Sequence, residues 1–216
     1  MAWTLTTLRD ALSSFNQSNE TTFDAYRDTF ITQAEDRIYK AVIMPANRTT
    51  TNLTVTAGTF TANLPADFLA PFELRMVVND VYMPVLYTDV SMIRELYPNP
   101  NYAGVPRWYS LYNDSQIILS PTPTSGITGY FNYFAKPESI TVTSSGTSWL
   151  GDHAENCLLY ACLVEAYGFL KGEADLMTYY ENKFKAALDD LRKLGEGMDL
   201  GDAYRMGESR VGKTTP

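Results

Sequence analysis

The chain has 216 residues, of which 45% are hydrophobic and 13% aromatic, enough to bury a sizeable core in one domain or in two small ones. A net charge of -8 argues against a protein that holds nucleic acid by neutralising phosphates, and a single histidine narrows the scope for imidazole catalysis. The start, "MAWTLTTLRDALSSF", lacks the basic and apolar regions of a signal peptide, so export is not expected.

Leu5, Leu8, Leu12 and Phe15 recur at helical spacing and predict a short first helix, closed by the turn "NQSNETT". From Phe23 the set Phe23, Tyr26, Phe30, Ala34, Ile38 and Val42 predicts a long amphipathic helix with charged residues on its other face. Met44-Pro45 should end it, because the residue before proline resists helical geometry.

Between 48 and 143 the composition shifts to short runs rich in Thr, Val, Tyr and Phe, the pattern of antiparallel strands. Asn79-Asp80 and Asn113-Asp114 separate apolar runs, and both residue types tolerate the positive φ of tight turns, so two hairpins are expected. "DVSMIRELY" reads as a helical interruption capped by Asp89, with Met92, Ile93 and Leu96 on one face. "ITGYFNYFA" should be the closing strand.

"DHAE" at 152–155 has the spacing of an N-terminal cap, and it leads into a run from Cys157 to Val164 that is apolar all round. A helix without a polar face belongs at the centre of a bundle. Glu165 and the shortness of the apolar run exclude a membrane span. After Gly172, Leu176, Tyr180, Phe184, Ala187, Leu188 and Leu191 form one stripe, with Gly195 as the expected C-cap. The last two helices should form an antiparallel hairpin that packs with the N-terminal pair. The fold class is therefore α+β: a helical bundle from 1–47 plus 149–197, an inserted antiparallel β module at 48–148, and an extended C-terminal tail at 198–216.

Familiar reaction chemistry is absent from the motifs. "GESRVGKT" at 207–214 fits the phosphate-loop pattern, but "LGEGMDLGDAYRM" before it is no strand, and the three residues from Thr214 on cannot make the helix that would aim amides at a phosphate. His153, Cys157 and Cys162 share a short window, but Cys162 falls on the opposite helical face from His153, so no metal site is expected and both cysteines read as buried thiols. A Ser-His-Asp site would have to use His153, beside Asp152 at a helix start, where a cap is the commoner role. No cofactor is expected, and the chain is not expected to be an enzyme.

"NLPADFLAPFELRM" (63–76), "GVPRWYSLYNDSQIILSPTP" (104–123) and "SWLGDHAENCLLYACLVEAYGFL" (148–170) together resemble the adaptor proteins of short-tailed bacteriophages, the head-to-tail connectors also called tail tubular protein A. The similarity runs from about residue 1 to 194. It implies a structural virion protein, assembled in the host cytoplasm, that forms a dodecameric ring at the head-tail interface beneath the portal. Its implied partners are further copies of itself, the portal protein and tail nozzle or tail fibre proteins; genome DNA would pass the lumen without specific binding. By the same resemblance the tail would extend along the portal, with Tyr204 and Met206 as apolar anchors and Arg205, Arg210 and Lys213 as charge partners. The negative net charge would suit a wall past which DNA slides, or would serve solubility alone. The alternative reading is a monomeric carbohydrate-binding or other binding module.

Overall fold

A computed structural model describes residues 2–17 and 20–205, with side chains as far as Met198. In chain order its elements are α1 (Leu5–Asn16), α2 (Thr21–Ala41), β1 (Arg48–Val55), β2 (Thr61–Asn63), β3 (Phe68–Val78), β4 (Val81–Tyr87), α3 (Val90–Leu96), β5 (Trp108–Leu111), β6 (Gln116–Ser120), β7 (Ile127–Ala135), α4 (Trp149–His153), α5 (Glu155–Phe169) and α6 (Ala174–Arg205). The fold is α+β, and the chain divides into two compact units: the described parts of Met1–Pro45 and Glu138–Pro216 form the first, and Ala46–Pro137 the second.

In the helical unit, α1 starts at a reciprocal cap: Thr4 Oγ1 accepts the Thr7 N–H, and Thr7 Oγ1 accepts the Thr4 N–H at 3.0 Å. Leu8 and Leu12 face inward, whereas Phe15 stays half exposed. α2 stops at Ala41, with Val42 as its cap, and Pro45 opens a short 3-10 turn. The core is built around α5, which buries Cys157, Leu158, Leu159, Ala161, Cys162, Leu163, Val164 and Ala166 and packs on α1, α2, α4 and α6. Its uniform apolarity has that cause: helices cover it on several sides.

Three local expectations change. Asp152 caps nothing; the helix begins earlier, where Ser148 Oγ accepts the Gly151 N–H at 3.2 Å, and the chain then breaks at Ala154 (φ -132) before α5. Gly195 does not end α6, which continues to Arg205, so residues 198–205 are helical and not extended. The glycine answers a packing need: a Cβ there would lie 3.0 Å from Met44 Sδ and 3.5 Å from the Ile43 carbonyl. Helix propagation from the packed turns before it outweighs a glycine cost of about 1 kcal/mol per site. Gly172, in the turn between α5 and α6, is likewise set by contact, because a Cβ would enter the Tyr167 ring.

The β unit holds a seven-stranded sheet in the order β1-β7-β3-β4-β5-β6-β2. Its two end strands, β1 and β2, touch, so the sheet curls around a core of Leu53, Leu74, Met76, Tyr109, Ile117, Leu119 and Phe131. β7 is the last strand in sequence but an interior one in space, paired with both β1 and β3. Asn79 and Asp80 both take positive φ (51 and 60), which makes the β3–β4 connection a two-residue mirror-image turn matched to strand twist. The second hairpin forms without positive φ: Asn113 Oδ1 accepts the Ser115 N–H at 2.9 Å and turns the chain by its side chain.

One pairing between strands of the sheet is parallel, Leu86 with Trp108 and Tyr87 with Tyr109, so the module is mixed and not wholly antiparallel. The reason is α3, a crossover that returns the chain in the same direction. Asp89 caps it as expected, accepting the Ser91 N–H at 2.8 Å, and hydrogen bonds from the Ser91 hydroxyl and N–H hold the Asp89 carboxyl below its ordinary pKa. Of its apolar face only Ile93 is buried; Met92 and Leu96 are exposed.

Candidate assembly surfaces

Tyr26, Phe30, Gln33 and Arg37 lie at three- and four-residue steps on one face of α2. With Val164, Phe169 and Met177 of α5 and α6 they line a groove of about 770 Å³. The Phe169 ring lies 5.5 Å from that of Tyr26 and 5.2 Å from that of Phe30, yet Tyr26 is 51% and Phe169 44% exposed. At one end Arg37 donates to Glu181 at 2.7 Å, pairs with Glu165 at 3.5 Å, and places its guanidinium 4.6 Å from the centre of the Phe184 ring. The groove thus has an apolar floor and a rim whose charges already hold one another.

Beneath it the core contains several ionisable groups. Glu35 is 1% exposed, and its Oε1 accepts the Ile140 N–H at 3.1 Å. Burial raises the Tyr39 hydroxyl well above its ordinary value, with Glu35 adding to the shift. Burial likewise pushes the Cys157 thiol up to about 12, and the Cys162 thiol rises through burial with Glu35 and Glu165 adding. Both cysteines are free, buried thiols that stay protonated and unreactive near neutral pH. The His153 ring packs 5.1 Å from that of Trp149. Among the described residues, no cluster of three or more His, Cys, Asp or Glu is placed to hold a metal ion, and no helix is long and apolar enough to cross a membrane.

On the β unit the outward face of β1, β7, β3 and β4 carries a connected row. Thr50 Oγ1 donates to Asn132 Oδ1 at 2.6 Å, and Asn132 Nδ2 donates to Glu73 Oε2 at 2.9 Å. Glu73 pairs with Arg75 at 3.3 Å, Arg75 sits 5.6 Å from the Tyr82 ring centre, and Tyr82 packs on Tyr130 at 5.7 Å. Nearby, Arg48 stacks 4.1 Å from the Phe72 ring centre. Exposed tyrosine beside arginine is the composition of protein interfaces. At one end of β4 the hairpin tip leaves Val81 61% and Tyr82 58% exposed. Past its other end, Ile93, Arg94, Tyr97, Pro98 and Tyr112 line a pocket of about 400 Å³ floored by Ile118 and Leu119.

Of the tail residues singled out from sequence, Tyr204 and Arg205 fall in the last turn of α6, where only the backbone is described. Met206, Arg210 and Lys213 lie outside the described residues, as does "GESRVGKT". The element leading toward that motif is a helix, where a phosphate loop needs a strand. The sequence reading missed the groove, and although it placed the Asn79-Asp80 turn it did not single out the hairpin tip as a surface. Spacing told which side of α2 is apolar, but the exposure of Tyr26 depends on how far α5 and α6 cover it.

A model of the family described as SU10 adaptor protein matches residues 3–210, nearly the whole chain. The chain belongs to this family. Comparison with curated proteins gives no significant match. Membership in the SU10 adaptor family bears out the resemblance drawn from the "LPADF" and "GVPRWY" segments and makes the protein a structural adaptor component of a bacteriophage virion.

Proposed function

We propose that the protein forms a dodecameric ring at the head-tail interface, joins the portal to the tail nozzle or tail fibre proteins, and lets genome DNA pass its lumen without specific binding. The observation that carries this reading is the adaptor-family match across residues 3–210. The exposed apolar groove of the helical unit and the tyrosine- and arginine-bearing faces of the β unit support it, since a ring needs more than one contact surface per copy. The role is structural and not enzymatic. The net charge of -8 suits a channel that must not retain phosphates. Assembly takes place in the host cytoplasm.

In this reading the C-terminal segment docks on the portal through Tyr204, Arg205, Met206, Arg210 and Lys213. Removing residues 206–216 takes away no described element, so the melting temperature is expected to hold while attachment to the portal weakens about tenfold or more. Electron microscopy of the protein mixed with the portal of its own phage tests the whole proposal. An added ring is the expected image; a protein that stays monomeric and leaves the portal bare refutes it.

A further inference from the structure

The two ends of β4 present unlike features. At its start, Asp80 and Val81 stand out at the tip of the β3–β4 hairpin, an acid beside an apolar side chain. The pairing of β3 with β7 stops at Met76, so only β4 accompanies β3 to the tip. Just past its end, α3 presents the pocket of Ile93, Tyr97, Pro98 and Tyr112, with exposed Arg94 at its mouth. Neither Asp80 nor Arg94 has an ion-pair partner among the described residues. β4 spans seven residues, about 20 Å at ~3.3 Å per residue, so the knob and the hole cannot meet within one copy.

Two complementary patches that one copy cannot bring together are what a head-to-tail contact requires, and such contacts repeat around a closed ring. The backbone edge of β4 offers no alternative. Its last two residues, Leu86 and Tyr87, already pair with Trp108 and Tyr109 of β5, and on the short free stretch before them Pro84 has no N–H to offer an added strand. We propose that the hairpin tip of one copy, Asp80 and Val81, inserts into the α3 pocket of the next copy, where Asp80 meets Arg94 and Val81 lies against Tyr97 and Pro98. This assigns one contact of the proposed ring and rests on that reading.

The test uses the full-length protein with the portal of its own phage. Asp80→Asn keeps a residue that tolerates the positive φ of the turn, and Arg94→Gln keeps the stem that lines the pocket. Each is expected to lower ring formation about tenfold at fixed concentration, and the double variant no further than either single, because both remove the same pair. In a second measurement, Val81→Cys combined with Tyr97→Cys should give a ladder of covalent oligomers on oxidation, whereas each single variant should not. The buried Cys157 and Cys162 stay out of that reaction. Losses that add in the double variant, or rings that form without any ladder, overturn this contact and leave the ring standing. If the unaltered protein forms no ring, both readings fall together.

Discussion

The carboxylate of Glu35 on α2 accepts the backbone N–H of Ile140 at 3.1 Å, a hydrogen bond that joins residues 105 positions apart inside the helical unit. Ile140 is fully buried, so no water can take the place of that acceptor. Glu35→Ala should therefore cost about 1–3 kcal/mol, the penalty for an unsatisfied buried donor, whereas Glu35→Gln, which keeps an oxygen in place, should cost less. Urea unfolding of both variants checks the order; equal losses would mean that the bond does not hold the returning chain.

Leu158, in the first turn of α5, and Leu188, on α6, are both buried. An aspartate at either position would place an unpaired carboxylate in the core at a cost of several kcal/mol, comparable to the stability of a whole domain. Expression of Leu158→Asp and Leu188→Asp is expected to yield no soluble folded protein. A Leu158→Asp variant with an unchanged melting curve would contradict the packing of α5.

Gly129 in β7 faces Met76 across the sheet, and a Cβ there would sit 2.6 Å from the Met76 sulfur and 2.8 Å from the Arg75 carbonyl. The carbonyl belongs to the paired strand and cannot yield without disturbing the ladder. Gly129→Ala is expected to destabilise the β unit by about 1–3 kcal/mol, while Gly197→Ala, which meets nothing within 4 Å, should be neutral or stabilising. Thermal melts of the two variants provide the comparison.

Alkali should unfold the protein through groups that burial keeps neutral. The Cys157 thiol moves from 9.0 up to about 12 by burial, and the Tyr109 hydroxyl from 10.0 to about 12 by burial with Tyr87 and Glu73 adding. Tyr133, also buried, rises to about 12 with a further contribution from its 2.9 Å hydrogen bond to Asp67. Each folded value lies above the unfolded one, so the stabilisation is complete below pH 9 and is lost as pH climbs toward 12. Melting temperatures should fall across that window. Ellman's reagent at pH 8 should likewise find no reactive thiol until the chain is unfolded.

Much of this architecture is legible in the residues themselves. The stripe from Phe23 to Ile38, the all-round apolarity of Cys157 to Val164, and Asp89 before "VSMIREL" each encode an element through a local cause that tertiary structure leaves intact. Where the reading departs from the structure, a distant group decides. Gly195 looks like a helix stop in sequence, and only the approach of Met44 makes it a contact glycine. "DHAE" has the right spacing for a cap, but Asp152 lies inside α4, and α5 starts from Ala154, whose side chain has no oxygen to offer. The surfaces were the least legible, because half-exposed Tyr26 and Phe169 read the same as buried core until the neighbouring helices are placed.

Arg48, near the start of β1, pairs with Phe134, near the end of β7, so the β unit begins and finishes at adjacent positions on neighbouring strands. A module whose two ends coincide can be cut out and bridged by a short turn, or exchanged for another with similarly spaced ends, with little demand on what surrounds it. Recombination between viral genomes could thus replace the portion between Ala46 and Pro137 in one event, changing the outward faces of the β unit while the helices on either side of it in sequence keep their own core.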